Sequence, residues 1–182
     1  MKADIVKSRI NALEGKLPRG VLGISGPAGV GKTQFSLTVA ARLSRKYKVS
    51  LRVPRQELSN ALERLKELRA NLDNIVIELS EADITIIDDV YERSLERKRK
   101  DLFELLRSLK EPSLITTQIR SPSVPAIGWL RRYFIDIRLE FDGSNAYRRR
   151  MKGKALVFTY RITRRGFRIF RAYLRAPKGF FL

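Results

Sequence analysis

Gly26-Pro27-Ala28-Gly29-Val30-Gly31-Lys32-Thr33 reads GPAGVGKT and fills every fixed position of the phosphate-loop pattern G-x-x-x-x-G-K-[ST]. Each residue type has a task there. Glycines let successive backbone N–H groups turn toward one anion. A helix starting after the loop adds its partial positive charge. Lys32 can reach β- and γ-phosphates, and the Thr33 hydroxyl can ligate Mg²⁺. With Gln34, the residues Gly26, Pro27, Ala28, Gly29, Val30, Gly31, Lys32 and Thr33 form the expected nucleotide-binding set. A second signal follows at Ile84-Thr85-Ile86-Ile87-Asp88-Asp89. An apolar, β-branched run ending in acid reads as a buried parallel strand that delivers Asp88 to its C-terminal edge. There the carboxylate can share Mg²⁺ with Thr33. Asp89 has two readings: an acid that orients an attacking water, or a helix N-cap or loop residue.

These residues need a frame. Val21-Leu22-Gly23-Ile24 can be a buried strand leading into the loop, and Gln34 to Lys46 reads as the helix after it. Val49, Leu51 and Val53 alternate with polar neighbours and mark a second strand, which Pro54 ends. Leu58, Ala61, Leu62, Leu65, Leu68 and Leu72 recur at helical spacing, so a helix is predicted over Gln56 to Leu72, its charged residues forming a solvated face. Short strands are expected at Ile75–Ile77 and Ser113–Thr117, with Gln118 at the end of the latter, and a helix at Glu92–Lys110. A helix with Asp4 as N-cap is expected over Asp4–Leu13, and Pro177 to Leu182 reads as a loose tail.

The last third has another character. Tyr133, Ile135, Ile137, Leu139 and Phe141 alternate strictly with Phe134, Asp136, Arg138 and Glu140, which predicts a half-buried antiparallel strand. Asp142 to Asn145 reads as a turn. Strands follow from Leu156 to Ile162 and from Phe167 to Leu174, parted by Gly166. The expected fold class is therefore α/β: a mostly parallel central sheet flanked by helices, with an antiparallel C-terminal extension. The expected organisation is a single domain, with an N-terminal helix and linker over 1–19, a core over 20–141 and a basic β extension over 142–182.

Composition narrows the chemistry. The chain has no cysteine and no histidine, which removes disulfides, thiolate or imidazole metal sites and Ser-His or Cys-His nucleophiles. No apolar run is long enough to span a bilayer, and the start shows no signal segment, so a soluble cytoplasmic protein is expected. The net charge is +19. From Ile119 onward there are 16 Lys+Arg against 3 Asp+Glu, or +13, and the first 118 residues carry only +6. A basic third interleaved with aromatics points to a polyanion, most simply nucleic acid. A generally basic surface is the plainer alternative; an anionic membrane is the third, but no basic amphipathic helix stands out for it.

With these residues placed, the sequence resembles the RecA/RadA recombinase superfamily, and within it the short archaeal RadB-like and RadA-paralogue proteins. The likeness runs from about Gly20 to Phe167. It rests on GKTQ at Gly31–Gln34, LDNIVIELS at Leu72–Ser80, ITIIDD at Ile84–Asp89, ITTQIR at Ile115–Arg120, PAIGWLRRYFIDIRL at Pro125–Leu139 and FTYRITRRGF at Phe158–Phe167. The resemblance implies a RecA-like P-loop core that binds ATP and Mg²⁺ and acts on DNA in recombination or repair. It makes Gln118 the residue that senses the γ-phosphate and switches DNA contacts, a task an amide suits because it both donates and accepts.

The departures carry as much meaning. The family keeps a catalytic Glu just after the strand that follows the phosphate-loop helix. Here Val49 to Gln56 contains no acid, and Glu57 and Asp89 are the candidate substitutes. The DNA loop expected between Gln118 and Pro125 is short. No preceding DNA-binding domain and no F-x-x-A motif is seen, so an accessory paralogue is expected rather than a recombinase. The candidate catalytic set is Lys32, Gln118, Asp89 and Glu57. Arg120, Arg131, Arg132, Arg148, Arg149 and Arg150 are the candidate contacts to single-stranded DNA, and a RecA/RadA-type recombinase or another paralogue is the expected protein partner. Two other functions stand beside this one: a small-molecule P-loop kinase, and a non-hydrolysing ATP-binding subunit of a recombinase complex.

Overall fold

The structure is a computed structural model and describes residues 11–78, 80–90, 109–110, 112–118, 135–142, 145–152 and 156–174. Nine strands lie among them: β1 (Val21–Gly26), β2 (Val49–Arg52), β3 (Ile75–Val76), β4 (Ile84–Val90), β5 (Ser113–Gln118), β6 (Ile135–Asp142), β7 (Asn145–Lys152), β8 (Leu156–Thr163) and β9 (Gly166–Leu174). They form one sheet in the order β3-β2-β4-β5-β1-β6-β7-β8-β9. From β3 to β6 every neighbouring pair is parallel. From β6 to β9 every pair is antiparallel. The parallel half and the antiparallel extension therefore follow expectation, and β6 is the seam between them.

Helix α1 (Lys32–Leu43) shows why the extension matters. A helix lying on one face of a sheet normally keeps a polar face in water. In α1, Phe35, Leu37, Val39, Ala40, Ala41 and Leu43 are buried, and so are Ser36 and Thr38. The helix is covered twice. Its inner side packs on β4 and β5, and its outer side packs under β9. Phe167 of β9 meets Phe35 edge-on with ring centroids 4.9 Å apart and stacks on Tyr160 of β8 at 4.2 Å. The Phe167 N–H donates to Thr38 Oγ1 at 2.9 Å. Gly166 takes φ +92°, and a Cβ there would stand 2.6 Å from Thr38 Oγ1, so the hairpin backbone closes onto the helix where a side chain has no room.

Several expectations change. Helix α2 (Leu58–Glu67) stops earlier than Leu72. Arg69 turns left-handed at φ 58°, Ala70 N–H bonds the Leu65 carbonyl and Arg69 N–H bonds the Lys66 carbonyl, a Schellman ending made without glycine. Strand β6 is not purely antiparallel: it runs parallel to β1 on one side. Strand β7 was not expected at all, because NAYRRRMK lacks alternating apolar residues; pairing with both β6 and β8 makes it a strand. Asp89 lies inside β4 and not in a loop or at a helix N-cap. The expected helix over 92–110 (apart from residues 109 and 110, which are not helical), most of that over 4–13 and the tail over 177–182 lie outside the described residues.

Candidate phosphate-binding site

Strand β1 ends at Gly26, which sits in register with Gln118, the last residue of the adjacent β5. Beyond it the loop turns with Gly29 at φ 71° and Gly31 at φ 102°, Gly31 being the N-cap of α1. A Cβ on Gly29 would meet nothing within 4 Å, so its left-handed backbone, not crowding, calls for glycine. The sequence thus builds a strand, a loop of two left-handed glycines and a helix N-terminus in succession. Lys32 is buried, and its Nζ donates to the Pro27 carbonyl across the loop at 2.9 Å.

Opposite the loop, β4 brings up the two acids. In β4–β5 pairing Ile87 faces Ile115 but Val90 faces Thr117, so β4 holds one residue more than its partner over that stretch. The bulge is centred on Asp88 and Asp89, and Asp89 takes φ 53°. In a regular strand successive side chains point to opposite faces. Here both carboxylates act on the Lys32 ammonium: burial lowers its pKa, and the charges of Asp89 and then Asp88 push it back up.

Asp88 is 2% exposed. Its Oδ1 accepts from Ser36 Oγ and from Thr116 Oγ1, both at 2.8 Å. Thr116 Oγ1 in turn accepts the Asp89 N–H at 2.7 Å, which holds the bulge closed. Ser36 Oγ also lies 3.0 Å from the Thr33 carbonyl, so Thr33 and Asp88 are neighbours across one hydroxyl. Asp88 Oδ2 and Asp89 Oδ1 are buried without a hydrogen-bond partner. Burial raises the Asp89 pKa, the Asp88 charge raises it further, and Lys32 opposes both. Two adjacent carboxylates with buried, unpartnered oxygens beside the Thr33 turn suit a small hard cation. The described residues hold no cluster of three or more acidic, His or Cys side chains. One or two carboxylates, with remaining positions left to water and phosphate, match Mg²⁺.

An open cavity of about 680 Å³ lies over the loop, lined by Gly29, Gly31, Lys32, Thr33, Gln34, Arg64 and Ile162. Arg64 of α2 spans its side: Nε donates to Gln34 Oε1 at 2.8 Å, Nη2 to the Thr163 carbonyl at 2.6 Å and Nη1 to the Arg164 carbonyl at 3.2 Å. Its Nη1 also pairs with Glu67. Tyr160 Oη donates to the Val30 carbonyl at 2.6 Å, so β8 holds the phosphate loop from outside.

The structure therefore gathers the loop residues, Asp88 and Asp89, and sets the Gln118 backbone beside Gly26. It does not bring Glu57 to the cavity wall; Glu57 is exposed on the turn after β2. Arg148, Arg149 and Arg150 belong to β7, and Arg120, Arg131 and Arg132 lie outside the described residues. Sequence reasoning missed Ser36, Thr116, Arg64, Tyr160 and Ile162. Only Ser36 had a local signal, three positions after Thr33 on the same helix.

The fold is that of a RecA-type phosphate-loop core. A KaiC-like protein from the hyperthermophilic archaeon Pyrococcus horikoshii superposes with a TM-score of 0.70 over 89% of this chain and 94% of that one, at 15% sequence identity. No family model matches the chain, and no curated protein matches it. Among the described residues no helix is long and apolar enough to cross a membrane.

Proposed function

We propose that the chain binds ATP with Mg²⁺ and works in the cytoplasm as an accessory factor in DNA recombination or repair, binding single-stranded DNA and hydrolysing ATP slowly or only when DNA is bound. The observation that carries the nucleotide reading is Asp88: one oxygen fixed by two hydroxyls, the other buried and unpartnered, across from the lysine of a complete phosphate loop. Thr33 and Asp88 would hold Mg²⁺, which when bound neutralises charge on the phosphate oxygens. Lys32 exchanges the Pro27 carbonyl for a phosphate oxygen. The loop amides and the N-terminus of α1 orient the anion. Slow turnover would follow from the acids: neither Glu57 nor Asp89 lines the cavity, and Asp89, whose charge acts on Lys32, is the carboxylate we assign to take a proton from water. The DNA part rests on the basic C-terminal third and on the family resemblance, which also supports a RecA/RadA-type recombinase or paralogue as partner.

Calorimetry with MgATP on wild type, Lys32→Ala and Asp88→Asn tests the site. Wild type should bind, Lys32→Ala should bind at least ~10-fold more weakly, and Asp88→Asn should lose the dependence on Mg²⁺. Equal affinity for all three rejects the reading. Turnover with and without a single-stranded oligonucleotide tests the rest. Tight binding with no turnover in either condition selects a non-hydrolysing subunit, a reading that the exposed position of Glu57 favours. Consumption that needs a metabolite and ignores DNA selects a kinase.

A further inference from the structure

The β8–β9 hairpin carries four arginines in eight positions: Arg161, Arg164, Arg165 and Arg168. Arg164 and Arg165 turn one strand into the other, and Arg161 stands directly opposite Arg168 in the pairing register. All four are exposed. Like charges placed opposite each other weaken a strand pair, so this arrangement carries a cost to the fold.

The hairpin is not a loose arm. Phe167 and Gly166 seat it on Thr38 of α1. Arg42 and Arg45 follow Thr38 at four and seven positions, on the same side of that helix and its end. The positive charges meet there. The Arg42 guanidinium is held below its ordinary pKa by burial and then by the charges of Arg168 and Arg45, with Glu14 opposing.

We propose that this face, formed by the β8–β9 tip and the C-terminal end of α1, docks the phosphodiester backbone of nucleic acid through Arg45, Arg164, Arg165 and Arg168. The proposal rests on the DNA part of the function above and gives it a location other than the arginines expected from sequence. An acidic protein segment is the other polyanion to weigh. Protein interfaces depend on buried apolar anchors. From Tyr160 to Ile169 the exposed side chains are arginines and Thr163, and both aromatics are buried. Guanidinium forks without an apolar anchor match phosphate oxygens. With no exposed aromatic in that stretch to stack a base, recognition is of backbone alone, which single strands and duplexes both offer.

The test uses the whole chain with a single-stranded oligonucleotide, a duplex of equal length and poly-glutamate, titrated across a range of salt. Arg165→Glu/Arg168→Glu reverses two exposed charges that are not part of the cavity lining. Lys48→Glu/Lys110→Glu makes the same change in net charge at exposed positions just before β2 and β5, away from the hairpin. The hairpin variant should bind both nucleic acids at least ~10-fold more weakly, with a salt slope shallower by about 1–2, while the control stays near wild type. Circular dichroism and MgATP binding should match wild type. Wild-type affinity in the hairpin variant, or an equal loss in the control, overturns the surface and leaves the functional reading standing. Preference for poly-glutamate over either oligonucleotide also overturns it. A wild type that binds MgATP but neither oligonucleotide overturns this surface and the DNA part of the function together, leaving the nucleotide site intact.

Discussion

Asp88 and Asp89 are consecutive residues with the same side chain, yet the bulge gives them different duties. Asp88 is tied through Oδ1, so its free oxygen has a fixed direction. Asp89 is fixed through its backbone, and its carboxyl carries a pKa raised by burial and by Asp88. The sign of the resulting pH dependence follows. A raised folded-state pKa means that ionised Asp89 opposes folding. That opposition is absent below the ordinary aspartate value of 3.8 and grows as pH rises through the folded-state value. Asp89→Asn keeps the shape and tolerates a left-handed φ. Without metal and nucleotide it should melt higher than wild type at neutral pH, and the gap should close on acidification toward that value. Melting curves at several pH values check this; coincident curves at pH 7 would remove burial as the cause.

At the scale of the element, the β8–β9 hairpin is a brace on the nucleotide site. Gly166→Ala adds a Cβ at a left-handed φ and drives it against Thr38 Oγ1 and Leu68 Cδ2. Strain and overpacking together should cost about 2–4 kcal/mol, read as a fall in melting temperature of roughly 5–15 °C. Tyr160→Phe leaves the Val30 carbonyl without its donor while Phe167 still stacks on the ring. A loss of about 1–2 kcal/mol is expected. Because Val30 belongs to the phosphate loop, MgATP affinity should also drop several-fold. A drop in stability with no change in nucleotide binding would mean that the loop holds its shape without the brace.

The described residues share one sheet whose far end folds back over α1. Parallel and antiparallel halves share β6, and Phe35, Tyr160 and Phe167 join them in the core. Chemical denaturation should therefore be a single transition, with far- and near-ultraviolet dichroism falling together. Two separated transitions would show the extension to be an independent unit. Charge also acts at this scale. With +13 in the last 64 residues, oligonucleotide affinity should fall steeply between low and physiological salt, and a flat response would exclude a phosphate-backbone contact.

The sequence by itself determined the phosphate loop, the strand ending in Asp88 and the change from βα alternation to antiparallel strands. Each is written in neighbouring residues: glycine spacing, β-branched runs, period-two alternation. Tertiary structure decided the rest. The bulge at Asp88 and Asp89 arises from pairing β4 with β5, not from Asp-Asp as a dipeptide. Charged β7 is a strand because both its neighbours are strands. Arg64, Thr116 and Tyr160 reach the site from 32 to 128 positions beyond Lys32. Local patterns encode the conformation of a segment, whereas the meeting of distant segments is set by which faces they bury together.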